Sequence, residues 1–143
     1  MIEYQNILDK NMLNVLKDIL INIRDNGLSN NNHLYITFFT YHKNVELPNW
    51  LKQKYPEEMT IVIQYEYYNL KVNKNNFSIS LSFNDIKTKL KIDYGSIISF
   101  ADPSANFGLI LQKNKNKNRF KKNLKNKNIE KNNVINFSNY KKN

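Results

Sequence analysis

The sequence predicts a mainly β domain with an N-terminal α-helix, folded as a small open β-barrel or sandwich and followed by a disordered C-terminal tail. Three observations predict it. An apolar stripe recurs at helical spacing over the first 25 residues, short stretches alternate apolar and polar from residue 33 onward, and the composition beyond residue 111 collapses into Lys and Asn. At 143 residues with 41% hydrophobic residues, the chain can build one domain of ordinary size and not two.

The opening stripe consists of Tyr4, Leu8, Met12, Leu16 and Ile19, widened by Val15, Leu20 and Ile23. It predicts a helix over about residues 2–25. Asn26-Gly27 stops it, because glycine tolerates the left-handed conformation at a helix end, and residues 29–32 form a polar loop. The stripe is broad enough to pack on the body or against the same helix of a second subunit. Its most apolar part is interrupted by Asn14, Lys17, Asp18 and Asn22, so it is neither a signal-peptide core nor a membrane span of ~20 residues. A soluble, cytoplasmic chain with no membrane partner is expected.

From His33 the period becomes two, and β-branched and aromatic residues grow dense. Residues 34–40 read as the first strand, and Pro48-Asn49-Trp50-Leu51 starts a short helical turn that Tyr55-Pro56 ends. Strands over 59–64 and 67–72 follow, then a turn over 73–76. Residues 77–83 give the cleanest alternation, with Phe77, Ile79, Leu81 and Phe83 on the face expected to be buried and three serines on the other. Asn84-Asp85 supplies a hairpin turn. The return strand sets Ile86, Thr88, Leu90 and Ile92 opposite Lys87, Lys89 and Lys91, whose face is expected in solvent. Stretches over 97–100 and 107–111, joined by an Asp102-Pro103 turn, complete roughly six strands. Short antiparallel strands without alternating helices favour a barrel or sandwich.

The net charge of +10 is unevenly placed. Residues 1–111 hold 11 Lys/Arg and 11 Asp/Glu, whereas residues 112–143 hold 11 Lys/Arg against Glu130 alone. A neutral body weakens the case for nucleic acid, which needs clustered positive charge on the folded surface. Chemistry is equally scarce. The chain has no cysteine, three glycines and two histidines, His33 and His42, and it carries no phosphate-binding or dinucleotide fingerprint. Neither histidine sits in a motif, and Glu57-Glu58 point apart on an extended chain. No enzyme activity, cofactor or metal is expected. The aromatics Tyr65, Tyr67, Tyr68, Phe38, Phe39 and Phe100 read first as core and second as a base-stacking platform.

Several segments together resemble the stringent starvation protein B family in its alpha-proteobacterial form. They are His33-Leu34-Tyr35-Ile36-Thr37-Phe38, Tyr55-Pro56-Glu57-Glu58-Met59-Thr60-Ile61-Val62-Ile63-Gln64, Tyr68-Asn69-Leu70, residues 77–83 and Phe100-Ala101-Asp102-Pro103-Ser104-Ala105-Asn106-Phe107-Gly108-Leu109. The resemblance spans about residues 4–111. It implies an adaptor for the ClpXP protease: a homodimer whose open barrel holds the ssrA degradation tag of stalled-translation products and whose tails dock on the unfoldase ClpX. The division it implies is a tag-binding and dimerisation domain over 1–111, a disordered linker over 112–133 and a docking peptide over 134–143. Val62, Gln64, Leu81 and Phe83 are the positions that match the family's tag groove. The N-terminal helix supplies much of the dimer contact by the same analogy.

The tail's last ten residues concentrate Val134, Ile135, Phe137 and Tyr140 in an otherwise polar segment. Related proteins end in a Val-Val-Ser-Leu-x-x-Phe-Arg-Lys type of segment, which implies ClpX docking through Val134, Ile135, Phe137, Tyr140, Lys141 and Lys142. The alternative from a different class is a small RNA-binding protein that uses an aromatic barrel and a basic tail. Its binding would weaken steeply with salt, whereas tag capture would survive loss of the tail.

Overall fold

The computed structural model describes residues 1–29 and 31–111, so the expected linker 112–133 and docking peptide 134–143 lie outside the described residues. Helix α1 (Tyr4–Asn26) opens the chain and ends at Gly27, whose φ of 78° places it in the left-handed region while its N–H donates to the Ile23 carbonyl at 2.8 Å. The apolar stripe expected as one face is two. Met12, Leu13, Leu16, Leu20 and Ile23 are buried, whereas Tyr4, Ile7, Leu8 and Val15 project into solvent along a neighbouring stripe. At 100° per residue the two stripes lie roughly a third of a turn apart, so one helix cannot bury both on a single body.

Seven strands follow, one more than the rough sequence tally: β1 (Leu34–Phe39), β2 (Glu58–Ile63), β3 (Tyr67–Val72), β4 (Asn76–Phe83), β5 (Ile86–Asp93), β6 (Ile97–Asp102) and β7 (Phe107–Ile110). A short helix, α2 (Asn49–Lys54), lies between β1 and β2. All pairing is antiparallel. One sheet has the order β2-β1-β6-β7 and the other β3-β4-β5. The sheets remain separate, so the fold is open as expected and not a closed barrel. Phe38, Ile36, Ile61 and Phe100 of the first sheet, Phe77, Ile79 and Leu90 of the second, and Leu16 and Leu20 of α1 form one core, each at most 1% exposed. Tyr94 adds its ring beside Phe77, with centroids 6.0 Å apart.

The β4–β5 hairpin turns at Asn84 and Asp85, with φ of 51° and 66°. Both residue types tolerate that region, and such turns match the right-handed twist of paired strands. Two expectations for this hairpin need correction. Ser78 and Ser80 are buried although they lie on the lysine face, because each short side chain sits between long cross-strand neighbours: Lys71 and Lys91 flank Ser78, and Tyr68 and Lys89 flank Ser80. Ser82, with Lys87 alone opposite, is exposed. Ile86 was expected with the buried set, yet it is 55% exposed because it begins the strand at the turn, beyond the cover of the facing sheet.

The Asp102-Pro103 turn has a specific chemistry. Asp102 Oδ1 accepts from the Ser104 N–H at 3.0 Å, the Ser104 hydroxyl at 2.5 Å and the Ala105 N–H at 3.3 Å, while Oδ2 accepts from the Asn32 amide at 2.7 Å. The carboxylate thus caps the turn Pro103–Ala105 and ties it to the loop before β1. Burial disfavours its charge, but the hydrogen bonds from Asn32, Ser104 and the His33 and Ala105 backbones outweigh that and hold its pKa below the ordinary value. A depressed carboxylate pKa contributes stability above the unfolded-state value of about 3.9, and that stability is lost as pH falls through the folded value. Asp102→Ala should therefore lower stability by about 1–3 kcal/mol at pH 7, with the difference shrinking below about pH 4, as read by urea unfolding across that range.

Candidate functional site

A cleft of about 460 Å³ opens between the free edge of the first sheet and the end of the second. Its near wall is Thr60, Ile61 and Val62 of β2, continued by Gln64, Tyr65 and Glu66 of the β2–β3 turn; its far wall is Leu81, Ser82 and Phe83 of β4. All four residues matched to a tag groove, Val62, Gln64, Leu81 and Phe83, meet here. They come from strands paired in different sheets, so only the fold brings them together.

Their exposures differ in kind. Leu81 is 5% exposed and forms the floor, shared with the core; Val62, Gln64 and Phe83 are half-buried at the walls. Gln64 stands one residue beyond the end of β2, where its amide can both donate and accept. Phe83 is held from behind by Trp50 of α2, edge-on with centroids 6.4 Å apart. Tyr65 is 70% exposed over the mouth, its ring edge-on to His33 at 6.1 Å. Gln64 and Tyr65 also border a second hollow of about 580 Å³ with Leu28, Asn32 and Tyr67, so the groove continues toward the end of α1.

These walls are mostly apolar or neutral polar. Glu66 is the one charged residue among the lining, and among the described residues no three His, Cys, Asp or Glu side chains converge as a metal site. His42 lies 3.9 Å from Asp93, whose carboxylate is engaged by the Gly95 N–H at 2.8 Å. The aromatic platform considered for base stacking is not one surface. Phe38 and Phe100 are in the core, Tyr65 is at the cleft, and Tyr68 lies on the lysine face with Lys87 Nζ 4.1 Å from its ring. Successive strand residues point to opposite faces, which separates Tyr67 from Tyr68. Sequence reasoning had not placed Thr60, Ser82 or Trp50 at the site; the first two read as ordinary strand polar residues, and only the fold sets Trp50 behind Phe83.

The family model described as stringent starvation protein B matches residues 7–142. The chain belongs to the stringent starvation protein B family. No curated protein matches it. This is a family of proteolytic adaptors rather than of enzymes. The stringent starvation protein B match also runs past Leu111 to the end of the basic tail, beyond the described residues. No helix of the described residues is long and apolar enough to cross a membrane.

Proposed function

We propose that this adaptor captures the ssrA tag of stalled-translation products in the β2–β4 cleft and delivers the tagged chains to ClpXP through residues 134–143. The observation that carries the reading is the convergence of Val62, Gln64, Leu81 and Phe83 on one cleft in a chain of this family. The cleft has an apolar floor and wall, a bifunctional amide at its end and open ends along its length, which suit an extended peptide. In this reading residues 112–133, 22 residues rich in Lys and Asn, join the folded body to the docking segment.

The reading includes a homodimer. Tyr4, Ile7, Leu8 and Val15 form an exposed apolar stripe on α1, and a second copy of the same helix would cover it. Two tails per particle would then bind with avidity.

The direct test is fluorescence anisotropy of a labelled ssrA peptide with the full chain. Saturable binding is expected, and Phe83→Ala should weaken it about tenfold or more, since a wall residue backed by Trp50 is a preorganised anchor. A peptide that never saturates the protein removes the tag-capture reading.

A further inference from the structure

The charge balance of residues 1–111 hides an uneven surface. The register of β4 sets Ser78 between Lys71 and Lys91, Ser80 between Tyr68 and Lys89, and Ser82 beside Lys87, and residues directly opposite in an antiparallel ladder share a face. Four of the body's 11 Lys/Arg therefore stand on the outer face of the β3-β4-β5 sheet. Lys87, Lys89 and Lys91 recur at every second residue of β5, about 6.8 Å apart, and Lys71 stands two strands away, about 10 Å across the sheet.

Few acids balance this face. Lys91 Nζ lies 3.4 Å from Glu46. Asp93, at the end of the same strand, accepts from the Gly95 N–H at 2.8 Å and lies 3.9 Å from His42. Lys71, Lys87 and Lys89 are exposed and, among the described residues, in ion-pair contact with no carboxylate. Lys87 Nζ sits 4.1 Å from the ring of Tyr68, which is 39% exposed, so a free cation and an accessible aromatic ring stand side by side. The four lysines line neither of the hollows described above.

We infer that this face binds a single-stranded nucleic acid, with phosphates on Lys71, Lys87 and Lys89 and a base against Tyr68. The inference goes beyond tag capture and uses a different surface. A second copy would bring the same positive face, and the chain's own residues 112–143 carry 11 Lys/Arg against Glu130, so like charge opposes both as occupants. Acidic protein motifs are characteristically read by clustered arginines, whose forks grip carboxylates bidentately, and this face has none. A phosphate backbone matches charge repeated at regular steps with hydroxyl donors between. Duplex grooves admit a helix or a two-stranded ribbon, whereas the open face of a sheet suits unstacked bases.

Anisotropy of labelled oligouridylate and oligothymidylate of about 20 nucleotides, titrated with the full chain between about 50 and 200 mM salt, tests this. Saturable binding is expected for both, since they share phosphates and base faces, and the tighter names the source. Lys71→Gln/Lys87→Gln/Lys89→Gln should bind about tenfold more weakly or worse. Its slope of log affinity against log salt should be shallower by about 2, or about 0.7 for each lost phosphate contact. Tyr68→Ala should bind about fivefold more weakly with the slope unchanged, the mark of lost stacking. Lys10→Gln/Lys52→Gln/Lys54→Gln removes the same charge from α1 and α2 and should cost less than about threefold. Urea midpoints should match the parent throughout, because the changed side chains lie outside the core. Equal losses from the two triple variants place the binding on net charge and overturn the face, as does absence of saturable binding at the lowest salt. A Tyr68→Ala chain that binds like the parent overturns the base contact and with it the choice of a single strand. Displacement by poly-glutamate at equal charge assigns the face to acidic protein segments and overturns the occupant. None of these readouts involves the ssrA peptide, so failure of tag capture and failure of this face are told apart.

Discussion

A chain lacking residues 134–143 should bind the ssrA peptide within twofold of the full chain yet lose most of its stimulation of tagged-reporter degradation by ClpXP. The separation follows from where the proposed function places the two activities. Val62, Gln64, Leu81 and Phe83 belong to the folded body, and their strands are anchored by a core that, among the described residues, includes Leu111. The terminal ten residues carry an apolar and aromatic cluster. Under the proposed function, tethering would raise the local concentration of cargo at the unfoldase to the order of mM, and linked binding exceeds single-site binding by about 10²–10⁴. At cargo concentrations well below that local value, stimulation should fall by about tenfold to a hundredfold. Degradation rates and peptide anisotropy measured on the same two proteins check the prediction; a parallel loss of affinity would contradict the division of labour.

The largest stability effect should come from Phe77→Ala. Phe77 is fully buried in β4, the central strand of its sheet, and packs on Tyr94. Removing a buried aromatic ring loses its transfer free energy and leaves a cavity that close-packed neighbours fill only partly, about 3–5 kcal/mol in all. For a domain of this size that is a large fraction of the ~5–15 kcal/mol separating folded from unfolded. Urea unfolding should show the midpoint fall with little change in slope. Phe83→Ala offers the contrast. Phe83 lies on the same strand and the same alternation, but it is half-buried at the cleft wall, so its loss should weaken peptide binding more than stability.

Much of this architecture was legible before any coordinates. The period-two pattern of residues 77–83, the Asn84-Asp85 turn and the Asn26-Gly27 stop each correspond to an element bounded within a residue or two of its expected place. Local sequence carried them because backbone preference and burial agree there. What it did not carry were facts about neighbours. Burial of Ser78 and Ser80 depends on which long side chains the register sets beside them. The split of the α1 stripe depends on how much of a helix one body can cover. The cleft was half legible: the resemblance pointed to Val62, Gln64, Leu81 and Phe83, but alternation alone placed Leu81 and Phe83 in the core. Leu81 is both, since a groove floor is the outer surface of a core residue.

The chain's one tryptophan is the residue that stands against Phe83. An indole whose emission depends on its surroundings therefore stands beside the cleft wall, and under the proposed function the arrival of a peptide should change the intrinsic fluorescence of the unlabelled protein, in real time.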